Sequence, residues 1–284
     1  MDIRGRRQSS NIEDRRGMRP VRTGVGLSIG GVLFLVVLSL LGINPLPFLG
    51  VATKAPEVQM QESAQPYQET PQETAMREMT AVVLADTEET WSALLPQYGV
   101  QYVAPTLVLF DGMVASACGT AESAMGPFYC PLDQKVYIDM SFYNDLSQRF
   151  GAPGDFAQAY VISHEVGHHV QNLLGVSDQV TAMQQRARSQ EEANELSIRL
   201  ELQADCFAGV YGHFDQQYLE EGDVEEGLRA AAAIGDDRIQ KQSQGYVAPE
   251  SWTHGSAEMR VRWLKQGLRT GDPAQCDTFK APRL

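Results

Sequence analysis

Positive charge is scarce in this chain: 23 Lys and Arg stand against 36 Asp and Glu, a formal net charge of −13 over 284 residues. So acidic a chain disfavours nucleic acid and anionic membrane surfaces as partners. What positive charge there is collects at one end. Residues 1–23 hold seven arginines against Asp2, Glu13 and Asp14, net +4, which leaves −17 for the rest. Cysteine is also sparse. Cys118, Cys130, Cys206 and Cys276 contain no close C-x-x-C pair, which disfavours a cysteine zinc site. Four cysteines allow three pairings. We expect Cys118–Cys130, closing a local loop rich in Gly and Ala, and Cys206–Cys276, tying the C-terminal tail to a helix. Two disulfides fit an exported domain. No internal repeat is present.

Long apolar runs are nearly absent too. Residues 24–43 are uncharged and rich in Leu, Val, Ile and Gly, and twenty residues suffice to span a bilayer. Asn44-Pro45 ends the run. The expected organisation is a basic segment 1–23, a transmembrane anchor helix 24–43, a flexible acidic linker 44–75 and a folded domain 76–284. Arginines before the anchor would hold the N-terminus in the cytoplasm and leave the domain outside.

Within the domain, residues 76–98 read as a helix with Trp91, Leu94 and Leu95 on its apolar edge. Val103–Phe110 and Lys135–Asp139 read as strands, with a third over Val114–Cys118. Further helices follow, from Phe142–Phe150 to about residue 268. The expected class is α+β, mostly helical, with a small sheet packed on one central helix.

That helix spans residues 155–174. Apolar positions recur at a helical period, Asp155 is a candidate N-cap and Gly175 a stop. It carries His164-Glu165-Val166-Gly167-His168, an H-E-x-x-H pattern. Residues four apart share one helix face, so both imidazoles can grip one metal ion. Glu165 sits at the edge of that face, where it can reach a metal-bound water as general base. Gly167, costly inside a helix, suggests close approach of a neighbouring element. His169 reads as a neutral residue on the helix flank.

A catalytic zinc needs a third protein ligand. Glu201, 33 residues past His168, is the candidate. Asp205, one turn further, would orient a ligand imidazole. Apolar neighbours at Leu200, Ala204 and Phe207 suggest burial, which a carboxylate tolerates only when paired or metal-bound. His213 lies roughly 18 Å from Glu201 along a continuing helix, too far to join the site.

A helix with H-E-x-x-H followed by one with E-x-x-x-D resembles the gluzincin peptidases. The strings Ser163–His169, Glu201–Gly209 and Thr253–Leu264, with Arg6–Asn11 and Asp14–Gly17, resemble the bacterial neutral zinc metallopeptidase family over nearly the whole chain except about 50–75. The resemblance implies a zincin-like domain, one Zn²⁺ per chain and a peptide or protein substrate. In a bacterial cell, the expected anchor and its arginines would make this a single-pass protein of the inner membrane, the catalytic domain periplasmic or extracellular. By the same likeness His254 would donate to the oxyanion and Arg260, six residues on, would pair with a site carboxylate or a substrate carbonyl. Membrane gluzincins usually carry Pro after this His, and Gly255 departs from that. An edge strand beside the motif helix would bind extended substrate, and Val136, Tyr137 and Ile138 are the candidates. The alternative to a metalloendopeptidase is a zinc-binding, membrane-tethered scaffold or chaperone without turnover.

Overall fold

The computed structural model describes residues 1–23, 57–61 and 67–284. The expected transmembrane helix 24–43 lies outside them. Among the described residues no helix is long and apolar enough to cross a membrane.

Among the described residues there are eight strands: β1 Ile12–Asp14, β2 Arg19–Thr23, β3 Glu57–Gln61, β4 Thr106–Phe110, β5 Met113–Ser116, β6 Gly119–Glu122, β7 Phe128–Cys130 and β8 Lys135–Asp139. The described α-helices are α1 Pro71–Leu94, α2 Ser141–Gln148, α3 Asp155–Leu173, α4 Val176–Gln184, α5 Gln190–Phe214, α6 Asp223–Ala233, α7 Asp236–Gln244 and α8 Ala257–Thr270. The fold is therefore mostly helical with a small sheet, as the sequence suggests.

The central sheet runs β1-β4-β8-β7, with β7 antiparallel to β8 and the other pairs parallel. Both its faces are covered, which is why the middle of β8, Val136–Ile138, is apolar on both sides of the strand. Leu107, Leu109, Val136 and Ile138 join the helical core. Val108, Phe110 and Tyr137 join a second cluster with Val114 of the β5–β6 hairpin.

The N-terminal end corrects the expected organisation. Residues 1–16 are built into the domain. β1 pairs with β4, Ile12 opposite Leu107. The Arg6 guanidinium lies 2.9 Å from Asp86 and 2.5 Å from Asp215. Arg7 reaches Glu88 and Glu89, and buried Arg16 pairs with Asp14 and Glu69. Those arginines serve the fold. β2 pairs with β3, Thr23 opposite Glu57, so the chain leaves and re-enters the described structure at adjacent points. A single crossing that put residues 1–23 across a membrane from the domain would break the β1–β4 pairing.

The expected linker 44–75 is likewise shortened by structure at both ends of its second half. It contains β3, and α1 starts at Pro71, not 76. Thr70 and Glu73 form a reciprocal capping box: Glu73 N–H donates to Thr70 Oγ1 at 3.3 Å, and Thr70 N–H to Glu73 Oε2 at 2.7 Å. Proline suits the first helical turn.

Both disulfides join the pairs anticipated, Cys118 with Cys130 and Cys206 with Cys276. The N-cap of helix α3 lies one residue before the expected Asp155: Gly154, at φ 129°, is the cap and Asp155 the first helical residue. Helices α5 and α8 cross at two glycines. A Cβ on Gly267 would collide with the Cys206 carbonyl, and one on Gly209 with the Leu264 carbonyl.

Candidate metal centre

Helices α3 and α5 bring His164, His168 and Glu201 together. Each of the three offers a ligand atom within 4.8 Å of the others. His164 Nε2 is 3.2 Å from Glu201 Oε2, and His168 Nε2 is 3.3 Å from Glu201 Oε1. The close approach that Gly167 suggested is with α5: a Cβ there would sit 3.1 Å from the Ala204 carbonyl oxygen. A larger residue would push the two ligand helices apart.

The remaining ring nitrogens are occupied. His164 Nδ1 lies 2.9 Å from Asp205 Oδ1. His168 Nδ1 lies 2.9 Å from Gln171 Oε1. With both Nδ1 atoms spent, the Nε2 lone pairs are the available donors, and both face the Glu201 carboxylate. Two imidazole nitrogens and one carboxylate form a donor set suited to Zn²⁺, so the residues present fit the ion that the resemblance implies.

Charge in this buried cluster is balanced by contact. Burial pushes the His164 imidazole down, but hydrogen bonds to Asp205 and Glu201 outweigh it and hold the pKa at about 10. Burial pushes the Glu201 carboxyl up, yet the charge of His168 and hydrogen bonds from both imidazoles hold it well below the usual range. A cation bound among these groups displaces protons from the imidazoles, as ligation requires.

Asp205 is fully buried and serves three partners. Besides His164, it accepts from Tyr160 Oη at 2.6 Å and from Arg260, whose Nε reaches Oδ2 at 2.8 Å and Nη2 reaches Oδ1 at 2.9 Å. The structure thus places Asp205 behind the His164 imidazole and Arg260 on the Asp205 carboxylate. Tyr160 escaped the sequence reading, although it lies one turn before His164 on the same helix, a spacing that could have exposed it.

Glu165 lines a cleft of about 670 Å³ together with His164, His168, Glu201, His254 and Arg260. Among the described residues its carboxylate has no hydrogen-bond partner. His254 is exposed at this cleft just before α8. Its Nδ1 is 3.0 Å from Thr253 Oγ1 and 3.3 Å from Asp236 Oδ1. The hydrogen bond to Asp236 raises the imidazole pKa above its ordinary value. Asp236 also accepts the backbone N–H groups of Thr253, His254 and Gly255 at 2.7–3.0 Å, clamping the whole turn. Asp236 carries no local motif and was missed. Gly255 now has a reason: its φ is 90°, a value closed to proline.

Two expectations need correction. Val136, Tyr137 and Ile138 are buried on an interior strand, hydrogen-bonded to β4 on one side and β7 on the other. Tyr137 stacks on Phe128 with ring centroids 4.7 Å apart. The free edge of the sheet at the cleft is β7, whose Phe128 and Tyr129 line it. A three-residue strand without alternation gives no periodic signal. His169 is buried rather than on a flank. Its Nε2–H donates to the Val103 carbonyl at 2.6 Å and its Nδ1 accepts from Tyr129 Oη at 2.9 Å, and burial lowers its pKa. It therefore positions β7. His213 lies outside the site, its Nδ1 2.9 Å from the Leu268 carbonyl.

The chain is 50% identical over 287 residues to the "Uncharacterized protein YpfJ" of Escherichia coli strain K12, covering 98% of this chain and 99% of that protein. It is 45% identical over 207 residues to the "Uncharacterized protein Rv2575" of Mycobacterium tuberculosis strain H37Rv, covering 68% of this chain and 67% of that protein. No solved structure matches it. A family profile, described as "Putative neutral zinc metallopeptidase", matches residues 1–279, and the chain belongs to that family.

Proposed function

We propose that this protein is a zinc-dependent metalloendopeptidase. The observation that carries the reading is the convergence of His164 Nε2, His168 Nε2 and Glu201 on one point in a cleft that also holds the unpartnered Glu165 carboxylate. His164, His168 and Glu201 hold the Zn²⁺. When bound, the ion supplies Lewis-acid polarisation of the scissile carbonyl and acidifies water. Glu165 takes a proton from the attacking water and returns it to the leaving nitrogen. Asp236 holds the His254 imidazole by Nδ1, and His254 Nε2–H donates to the developing oxyanion. Arg260 keeps Asp205 ionised behind His164. An extended substrate pairs along β7, whose outer edge borders the cleft.

The apolar run 24–43 attaches the domain to a membrane, with residues 1–16 and the cleft on the same side. The β1–β4 pairing supports this arrangement, and the two disulfides support the exported side.

The test is hydrolysis of a quenched-fluorescent peptide library by the full chain, zinc-loaded and chelated. Glu165→Gln is expected to retain one zinc per chain and to lose about 10²-fold or more of activity. His164→Ala is expected to lose the metal. A Glu165→Gln enzyme as active as the parent contradicts the assignment. Zinc binding without turnover on any peptide favours the scaffold reading.

A further inference from the structure

The two ligand imidazoles are backed by different chemistry. Behind His164 stands an ionised carboxylate. Behind His168 stands a chain of neutral amides. Gln171, one turn after His168 on α3, is fully buried. Its Oε1 is 2.9 Å from His168 Nδ1, and its Nε2 is 2.7 Å from the Leu200 carbonyl and 3.1 Å from Gln203 Oε1. Gln203 Nε2 in turn lies 3.1 Å from the Cys276 carbonyl. Cys276 is disulfide-bonded to Cys206, three residues along α5 from Gln203.

Every proton in this chain is fixed by its ends. The Leu200 and Cys276 carbonyls can only accept, so both amides must turn their NH₂ groups toward them. Gln171 therefore presents oxygen to His168 Nδ1, which must carry the hydrogen. With Nδ1–H fixed, the proton that a bound cation displaces is the one on His168 Nε2, the atom that faces Glu201, as a metal ligand needs. Leu200 directly precedes Glu201, so the same amide bridges the second ligand and the backbone beside the third.

We propose that Gln171 and Gln203 are positioning residues for the metal: a neutral amide relay, anchored at the Cys276 carbonyl, that sets the tautomer and ring orientation of His168. The inference rests on the zinc reading given above. It also assigns the Cys206–Cys276 disulfide a part in the metal site, since that bond holds the segment on which the relay ends.

The experiment measures Zn²⁺ affinity of the full chain by competition with a chromogenic chelator, and the visible spectrum of the Co²⁺-loaded protein. Gln171→Leu is expected to weaken Zn²⁺ binding about 10-fold or more and to shift the Co²⁺ bands. Gln203→Leu, which touches no ligand, is expected to weaken it in the same direction but less. The double variant is expected to bind about as weakly as Gln171→Leu alone, because both changes cut one relay. Asn194→Leu, which removes another buried amide on α5, is expected to leave affinity and spectrum unchanged. Should Gln171→Leu fail to fold, Gln203→Leu still decides the matter by its affinity and spectrum. Unchanged affinity in a folded Gln171→Leu or Gln203→Leu protein, or losses that add in the double variant, overturns the relay. Failure of the parent protein to bind zinc at all instead overturns the metal reading beneath it.

Discussion

Arg260 decides whether Asp205 can remain charged with no exposure to water. Its guanidinium meets both carboxylate oxygens, a bidentate geometry that an ammonium cannot reproduce. Replacing Arg260 with Met strands a buried charge, at a cost of about 3–5 kcal/mol. Arg260→Lys should recover only part of this. Urea denaturation of the metal-free proteins compares them, and full recovery by lysine would sink the argument. Residue identity was most legible here when chemistry and local spacing coincided. H-E-x-x-H and E-x-x-x-D each fall on one helix face, so period alone brings their members together. Tyr160 and Gln171 obey the same rule at i−4 from His164 and i+3 from His168. They passed unnoticed because tyrosine and glutamine are common in buried helices for many reasons. Asp236 reaches His254 only through tertiary structure, and no sequence period links them.

At the scale of elements, the ligand frame depends on how closely helices approach. Gly167 lets α3 meet α5, and Gly209 with Gly267 lets α5 meet α8, the helix that delivers Arg260. Gly267→Ala should therefore force α8 outward, costing about 1–3 kcal/mol of stability by overpacking. It should also lengthen the Arg260–Asp205 contact. Thermal unfolding checks the first effect and a structure of the variant the second. An unshifted midpoint would show that the crossing tolerates a methyl group. The helices were legible because α1, α3 and α5 carry apolar positions at helical period over many turns. The strands β4 and β8 are legible because each holds a short apolar β-prone stretch, Leu107–Phe110 and Val136–Ile138. β1 and β7 are not, being three residues each and stabilised by partners far away in sequence. With β7 hidden, β8 reads as the edge.

For the molecule as a whole, the N-terminal segment is the decisive feature. An arginine-rich stretch before an apolar run looks like a topology signal, and charge bias alone cannot distinguish that from cations with partners in a fold. Asp86 offers a solution test of the packing. Burial and the neighbouring Asp215 raise its pKa to about 7, against the opposing pull of Arg6. A carboxyl whose folded pKa exceeds its unfolded value of 3.8 gives stability that is complete below 3.8 and lost as pH rises through about 7. Asp86→Asn cannot ionise, so its stability relative to the parent should increase across that window. Denaturant midpoints at stepped pH values check this, and parallel curves would show that Asp86 is not held against Arg6 and Asp215. A second expectation concerns sidedness. Protease-cleavable tags on the N- and C-termini of the membrane-associated protein should be cut from the same face of the membrane. Cleavage from opposite faces would contradict the β1–β4 pairing.

That pairing also sets an order in time. Ile12 and Leu107 lie 95 positions apart in the chain, so a ribosome adding about 5–20 residues per second leaves β1 without its neighbour for roughly 5–20 s. Residues 24–43 are synthesised inside that interval. The nascent chain thus offers its most apolar stretch to targeting machinery before the first strand has anywhere to dock. On the membrane attachment proposed above, delivery would precede folding, and the N-terminal strand would still have to be free, on the side where the domain folds, when β4 arrives.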